Sequence, residues 1–170
     1  ITGYGQNSSR AMQAGHDLNY IAIAGALGIT GNGEDEVIVP GFQLADIAGG
    51  SYMAMNAVTA ALYQRERTGK GDWIDVAMTD AAVPFTALQF AAYQGTKENI
   101  PRADFELSGA LANYNVYKCK DGKHVALGSL EPKFWNLFCA RVGRKDWSEK
   151  FLLKGEELKQ LKQEVATLFA

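Results

Sequence analysis

Sulfur and imidazole are scarce in this 170-residue sequence, which has two cysteines, Cys119 and Cys139, and two histidines, His16 and His124. The cysteines lie too far apart for a CxxC motif and are too few for a disulfide framework. No paired Cys/His spacing exists, so a zinc site is not expected. No apolar run reaches the roughly 18–20 residues of a membrane span. Neither sign of charge is in excess: 17 basic against 19 acidic side chains leave a net −2, which removes the global electrostatic case for nucleic acid. Internal repeats and low-complexity segments are absent. What is present is ordinary, 47% apolar and 21% charged residues, the balance of a folded globular protein rather than a disordered one. The length suits one domain or pieces of two, and the expectation is a soluble, cytoplasmic, mixed α/β chain.

Ile1-Thr2-Gly3-Tyr4-Gly5-Gln6 carries no basic n-region or apolar h-region, so no signal peptide is expected. The β-prone start and a C-terminal helical pattern from Glu156 to Ala170 without a stop signal predict an excerpt from a longer protein. Between them, Ala14 to Leu27 reads as a small-residue, buried helix. Asn32-Gly33 and the acidic run Glu34-Asp35-Glu36 mark a solvated turn, followed by a short extended run, Val37-Ile38-Val39. A long helix is expected from Asp46 to about Arg67, with Tyr52, Met55, Val58 and Leu62 as its apolar stripe and Gly69 and Gly71 as its stop. Trp73 to Met78 alternates like a strand, and Thr79 to Tyr93 reads as a helix with Pro84 in its early turns. The polar stretch from Gly95 to Arg102 reads as a linker or crossing. Beyond it, Tyr114–Tyr117 and His124–Leu127 flank Asp121-Gly122, a hairpin signal, and Glu131-Pro132 opens an amphipathic helix.

Three residues stand out as candidate chemistry. His16, within Gly15-His16-Asp17-Leu18-Asn19-Tyr20, is either a general base, since both imidazole protonation states are accessible near neutrality, or a structural histidine. Asp46, in Ala45-Asp46-Ile47-Ala48-Gly49-Gly50, either caps the long helix or sits beside an anion site. Two adjacent glycines there would let a ligand approach first-turn N–H groups. Glu131, before Pro132, is in its own right a helix-terminus carboxylate. Gly3-Tyr4-Gly5 and Gly31-Asn32-Gly33 lack a full phosphate-loop pattern and read as turns. His124 reads as a strand-surface residue, and the tyrosines and tryptophans as core.

Taken in order, Ile1 to Gln6, Gly15 to Tyr20, Ala45 to Gly50, Thr68 to Met78 and Tyr114 to Pro132 resemble the CaiB/BaiF family. That family contains the class III CoA-transferases and the α-methylacyl-CoA racemases. The resemblance implies part of a Rossmann-like large CoA-binding domain over residues 1–95, a crossing over 96–112, and part of a smaller α+β domain over 113–170. In the racemase branch it makes His16 and Asp46 the acid/base pair and Glu131 the carboxylate that pairs with the histidine. Gly15, His16, Asp17, Leu18, Asn19 and Tyr20 would then line the pantetheine–thioester end of the site. In the transferase branch the residue matching Asp46 is a nucleophile that forms an aspartyl-CoA thioester, and the histidine is usually lacking. Retention of His16 and Glu131-Pro132 tilts the resemblance toward racemase. Coenzyme A enters as part of the substrate, with no redox or metal cofactor, and lipid metabolism is the implied setting. The family also implies an interlocked homodimer, in which Glu131 would reach His16 across subunits. Asn7 to Arg10 and Gly109 to Asn113 depart from the family's pattern. A fragment without turnover is the remaining alternative.

Overall fold

In the computed structural model, which describes residues 1–33 and 36–170, two separate groups of buried apolar side chains organise two compact units, Ile1–Arg102 and Ala103–Ala170. Helix α1 of the first unit (Asp17–Ile23) is shorter than the expected Ala14–Leu27. His16 is extended (φ −130°, ψ 176°), and Gly25 adopts φ +85°, a left-handed conformation open to glycine at little cost. Only Tyr20 and Ile21 of α1 are buried, while Leu18 and Ile23 face solvent. Strands β1 (Gly31–Asn32) and β2 (Glu36–Val37) pair antiparallel, Gly31 opposite Val37. Within the acidic run expected as a turn, Glu34 and Asp35 lie outside the described residues.

The long helix starts at Leu44, is π-wound to Tyr52, and continues as α2 (Met53–Thr68). Arg65 and Arg67 occupy its last turn, and Gly69 at φ +71° closes it, as the sequence predicts. Its apolar stripe is present but uncovered: Tyr52, Met55, Val58 and Leu62 are all exposed. Trp73–Met78, expected as a strand, contributes one parallel bridge, Ala77 with Thr2. Thr2 N–H donates to the Val76 carbonyl (2.9 Å) and Met78 N–H to the Thr2 carbonyl (2.8 Å). Among the described residues no longer ladder flanks this segment, so its alternation does not become a regular strand. Pro84 does more than the sequence reading allowed. The next helix is divided into α3 (Met78–Ala82), a 3₁₀ turn (Val83–Thr86) and α4 (Ala87–Thr96), because proline lacks an N–H and crowds the preceding turn.

The second unit follows the sequence closely. Strands β3 (Tyr114–Lys118) and β4 (His124–Gly128) form the expected hairpin, in register from Tyr114 opposite Gly128 to Lys118 opposite His124. Gly122 at φ +80° makes the turn, and His124 is exposed on the strand. Helices α5 (Pro132–Arg141) and α6 (Gly155–Phe169) complete the unit. Trp135, Cys139, Trp147 and Val165 are fully buried between them. Burial of a polar ring atom demands a partner, and both indoles have one: Trp135 Nε1 donates to the Trp147 carbonyl (2.9 Å) and Trp147 Nε1 to Glu164 Oε2 (2.8 Å). Tyr117 donates to the Ala112 carbonyl (2.7 Å), and burial pushes its hydroxyl pKa up to about 12. The expectation that tyrosines and tryptophans are core holds for these and for Tyr20, but Trp73, Tyr52 and Tyr63 are exposed. No helix among the described residues is long and apolar enough to cross a membrane.

Candidate active site

The segment carrying His16 is built on an aromatic wedge. The Tyr20 ring lies against the Gly3 and Gly15 backbones so tightly that a methyl group at Gly3 would sit 2.5 Å from Tyr20 Cε1. At Gly15 the same methyl would meet Tyr4 Oη at 2.5 Å and Tyr20 Cε1 at 2.8 Å. Tyr4 and Tyr20 meet edge to face, 5.1 Å between centroids. The Tyr20 hydroxyl donates to the Gly15 carbonyl, fixing the backbone just before His16. Burial first, then the charges of neighbouring Tyr4 and Asp46, push that hydroxyl's pKa up. Tyr20 therefore builds the segment from inside, and the exposed side chains at its surface include His16 and Leu18.

His16 is the N-cap of α1. Its N–H donates to Asn19 Oδ1 (3.1 Å) while Asn19 N–H returns to the His16 carbonyl (2.8 Å), a reciprocal closure of the helix start. The next residue makes the connection that sequence reasoning missed. Asp17 Oδ1 accepts from the N–H groups of Ala45 (2.6 Å) and Asp46 (3.0 Å). A carboxylate is the favoured acceptor at a helix start, where orphan N–H groups carry partial positive charge. One side chain thus ties the start of α1, with His16 beside it, to the start of the π-wound segment, with Asp46 on it.

This bond revises the expected anion site. The N–H groups beside Asp46 are already engaged by Asp17, and Ile47 N–H donates to the Gln43 carbonyl (3.2 Å). Gly49 and Gly50 do not open a path for ligand either. Both are buried against α3, where a methyl group would meet the Met78 carbonyl oxygen at 3.2 Å from Gly49 and Met78 Cγ at 2.9 Å from Gly50. Their small size serves close helix packing. The Asp46 carboxylate itself is half-buried and makes no hydrogen bond or ion pair among the described residues. At the start of α1, the N–H groups of Asp17 and Leu18 likewise have no acceptor among the described residues.

Glu131 belongs to the second unit. It is the N-cap of α5, extended at φ −92° and ψ 146° as Pro132 requires, and its carbonyl accepts from Phe134 (3.0 Å) and Trp135 (3.1 Å). Its side chain is exposed and does not cap the helix.

The family model of CoA-transferase family III matches residues 1–170. Alpha-methylacyl-CoA racemase of Homo sapiens is 31% identical over 170 residues, which is 100% of this chain and 44% of that protein. Succinyl-CoA:glutarate CoA-transferase of Mus musculus is 34% identical over 122 residues, 72% of this chain and 28% of the relative. Among solved structures, a CaiB/BaiF family protein from Brucella suis superposes with a TM-score of 0.73 at 26% identity, covering 99% of this chain and 44% of that one. The chain therefore spans less than half the length of these relatives, which include both racemases and transferases. With the match extending from the first residue to the last, the chain belongs to CoA-transferase family III.

Proposed function

We propose that the full-length protein carrying this chain racemises 2-methyl-branched acyl-CoA thioesters by 1,1-proton transfer. The observation that supports it is the Asp17 bridge, which brings the backbone bearing His16 to the backbone bearing a half-buried Asp46 carboxylate that makes no hydrogen bond or ion pair among the described residues. The thioester makes the α-proton removable by delocalising charge onto its carbonyl oxygen. One group removes the proton from one face of the α-carbon, and the other, starting protonated, returns a proton to the opposite face. His16 and Asp46 take these roles and exchange them in the reverse direction. Each positioned acid or base contributes about 10²–10⁴-fold. The N–H groups beside Asp46 are taken by Asp17, so the enolate oxygen is not assigned to them. Glu131 keeps the role the resemblance gives it, the carboxylate partner of a histidine. The surface formed by Gly15 to Asn19 takes the pantetheine–thioester end of coenzyme A.

The open Asp46 carboxylate also suits a second reading, CoA transfer between carboxylic acids with Asp46 as nucleophile. Two assays separate them. Racemisation predicts that solvent deuterium enters the α-position of a 2-methylacyl-CoA with no acceptor acid present. Absence of that exchange, together with movement of CoA to a free acid and trapping of an Asp46-linked thioester by hydroxylamine, would select transfer instead.

A further inference from the structure

We infer that Asp17 is a positioning residue, holding Asp46 in register with His16 through two hydrogen bonds rather than through its charge. The inference rests on the assignment of His16 and Asp46 as the proton-transferring pair. A single oxygen, Oδ1, accepts from two consecutive N–H groups, those of Ala45 and Asp46, across 28 and 29 positions of sequence. Two acceptor bonds from one atom fix both the distance and the rotation of the backbone that carries Asp46. On its own side, Asp17 is the first residue of α1, and the turn it stands on is closed by Asn19 and His16 and backed by Tyr20 at Gly15. Behind the π-wound segment, Gly49 and Gly50 lie against Met78, so that face cannot move inward. Asp17 restrains the opposite freedom, drift of the Asp46 end away from α1. An amide oxygen has the same geometry and acceptor capacity at this position, so asparagine preserves the tether while removing the charge.

The test is made on the full-length protein, reading α-proton exchange of a 2-methylacyl-CoA alongside amide hydrogen exchange at Ala45 and Asp46. Asp17→Ala should lower kcat by about 10²-fold, the cost of a misplacement near 1 Å, with a much smaller change in KM. Amide protection at Ala45 and Asp46 should fall with it. Asp17→Asn should keep that protection and retain a kcat about tenfold or more above that of Asp17→Ala. Asp17→Glu, which keeps the charge but lengthens the arm by a methylene, carries the same test should the alanine variant not fold, and should lose activity. A purely stabilising cap would lower the unfolding midpoint of Asp17→Ala yet leave kcat of the folded protein intact, and that result overturns the inference. Loss in Asp17→Asn as large as in Asp17→Ala also overturns it, by assigning the effect to charge. His16→Ala and Asp46→Asn distinguish the levels. If both retain exchange, the underlying proton-transfer pair is wrong and the inference falls with it; if both abolish exchange while Asp17→Ala and Asp17→Glu do not impair it, only the inference falls.

Discussion

Gly15 shows how much one absent side chain can decide. Its backbone passes so close to Tyr4 and Tyr20 that any Cβ collides with two rings, and both rings are held in their own edge-to-face contact. Gly15→Ala should therefore destabilise the first unit by about 1–3 kcal/mol, the usual cost of overpacking, measured as a lowered denaturation midpoint. A second local effect is electrostatic. Trp147 and Arg144 hydrogen bonds hold the Glu164 carboxyl below its ordinary value, and Arg144 holds Asp146 down as well. A carboxylate whose pKa is depressed on folding stabilises above its unfolded value, and that stability is lost as pH falls through the folded value. The stability difference between the parent and Glu164→Gln should be full at neutral pH and shrink below the ordinary glutamate value of 4.5. Denaturant titration at pH values on both sides of that point reads the difference directly.

At the scale of elements, the second unit was the more legible. The β3–β4 hairpin, the Gly122 turn and the Glu131-Pro132 start of α5 follow from local chemistry that needs no distant partner. Where distant groups decide, the sequence was silent. Nothing in the pattern marks Trp73–Met78 as a segment with one bridge, because a strand is completed by its neighbours. Gly49-Gly50 resembles an opening for a ligand until α3 is placed against it. His16 and Asp46 were singled out from sequence, yet Asp17, which joins their segments, was read only as a lining residue. Its role depends on a contact between residues 28 positions apart, for which no short-range motif exists. The indole cluster offers a check on the second unit's core. Trp135 is fully buried and hydrogen-bonded, so Trp135→Ala should cost about 3–5 kcal/mol and remove the unit's cooperative transition in a thermal melt.

For the whole molecule, the most telling feature is apolar surface left in water. Val39, Phe42, Tyr63 and Trp73 are exposed in the first unit, as is the stripe on α2. Apolar side chains left this exposed raise the tendency of the chain to associate. The 170-residue chain alone should bind a hydrophobic dye and sediment in a concentration-dependent manner; a monodisperse, dye-free monomer would contradict this. Because the chain covers only 44% of the human racemase it resembles, isothermal titration of the 170 residues with coenzyme A should show weak binding or none.

The central claim is that an imidazole and a carboxylate work on opposite faces of one α-carbon. Its most direct test follows each enantiomer of a 2-methylacyl-CoA separately, in deuterated water, with the full-length protein and its His16→Ala and Asp46→Asn variants. Interconversion should be abolished in both variants, while the parent carries solvent deuterium into the product from either enantiomer. Interconversion at the parental rate in either variant would contradict the account.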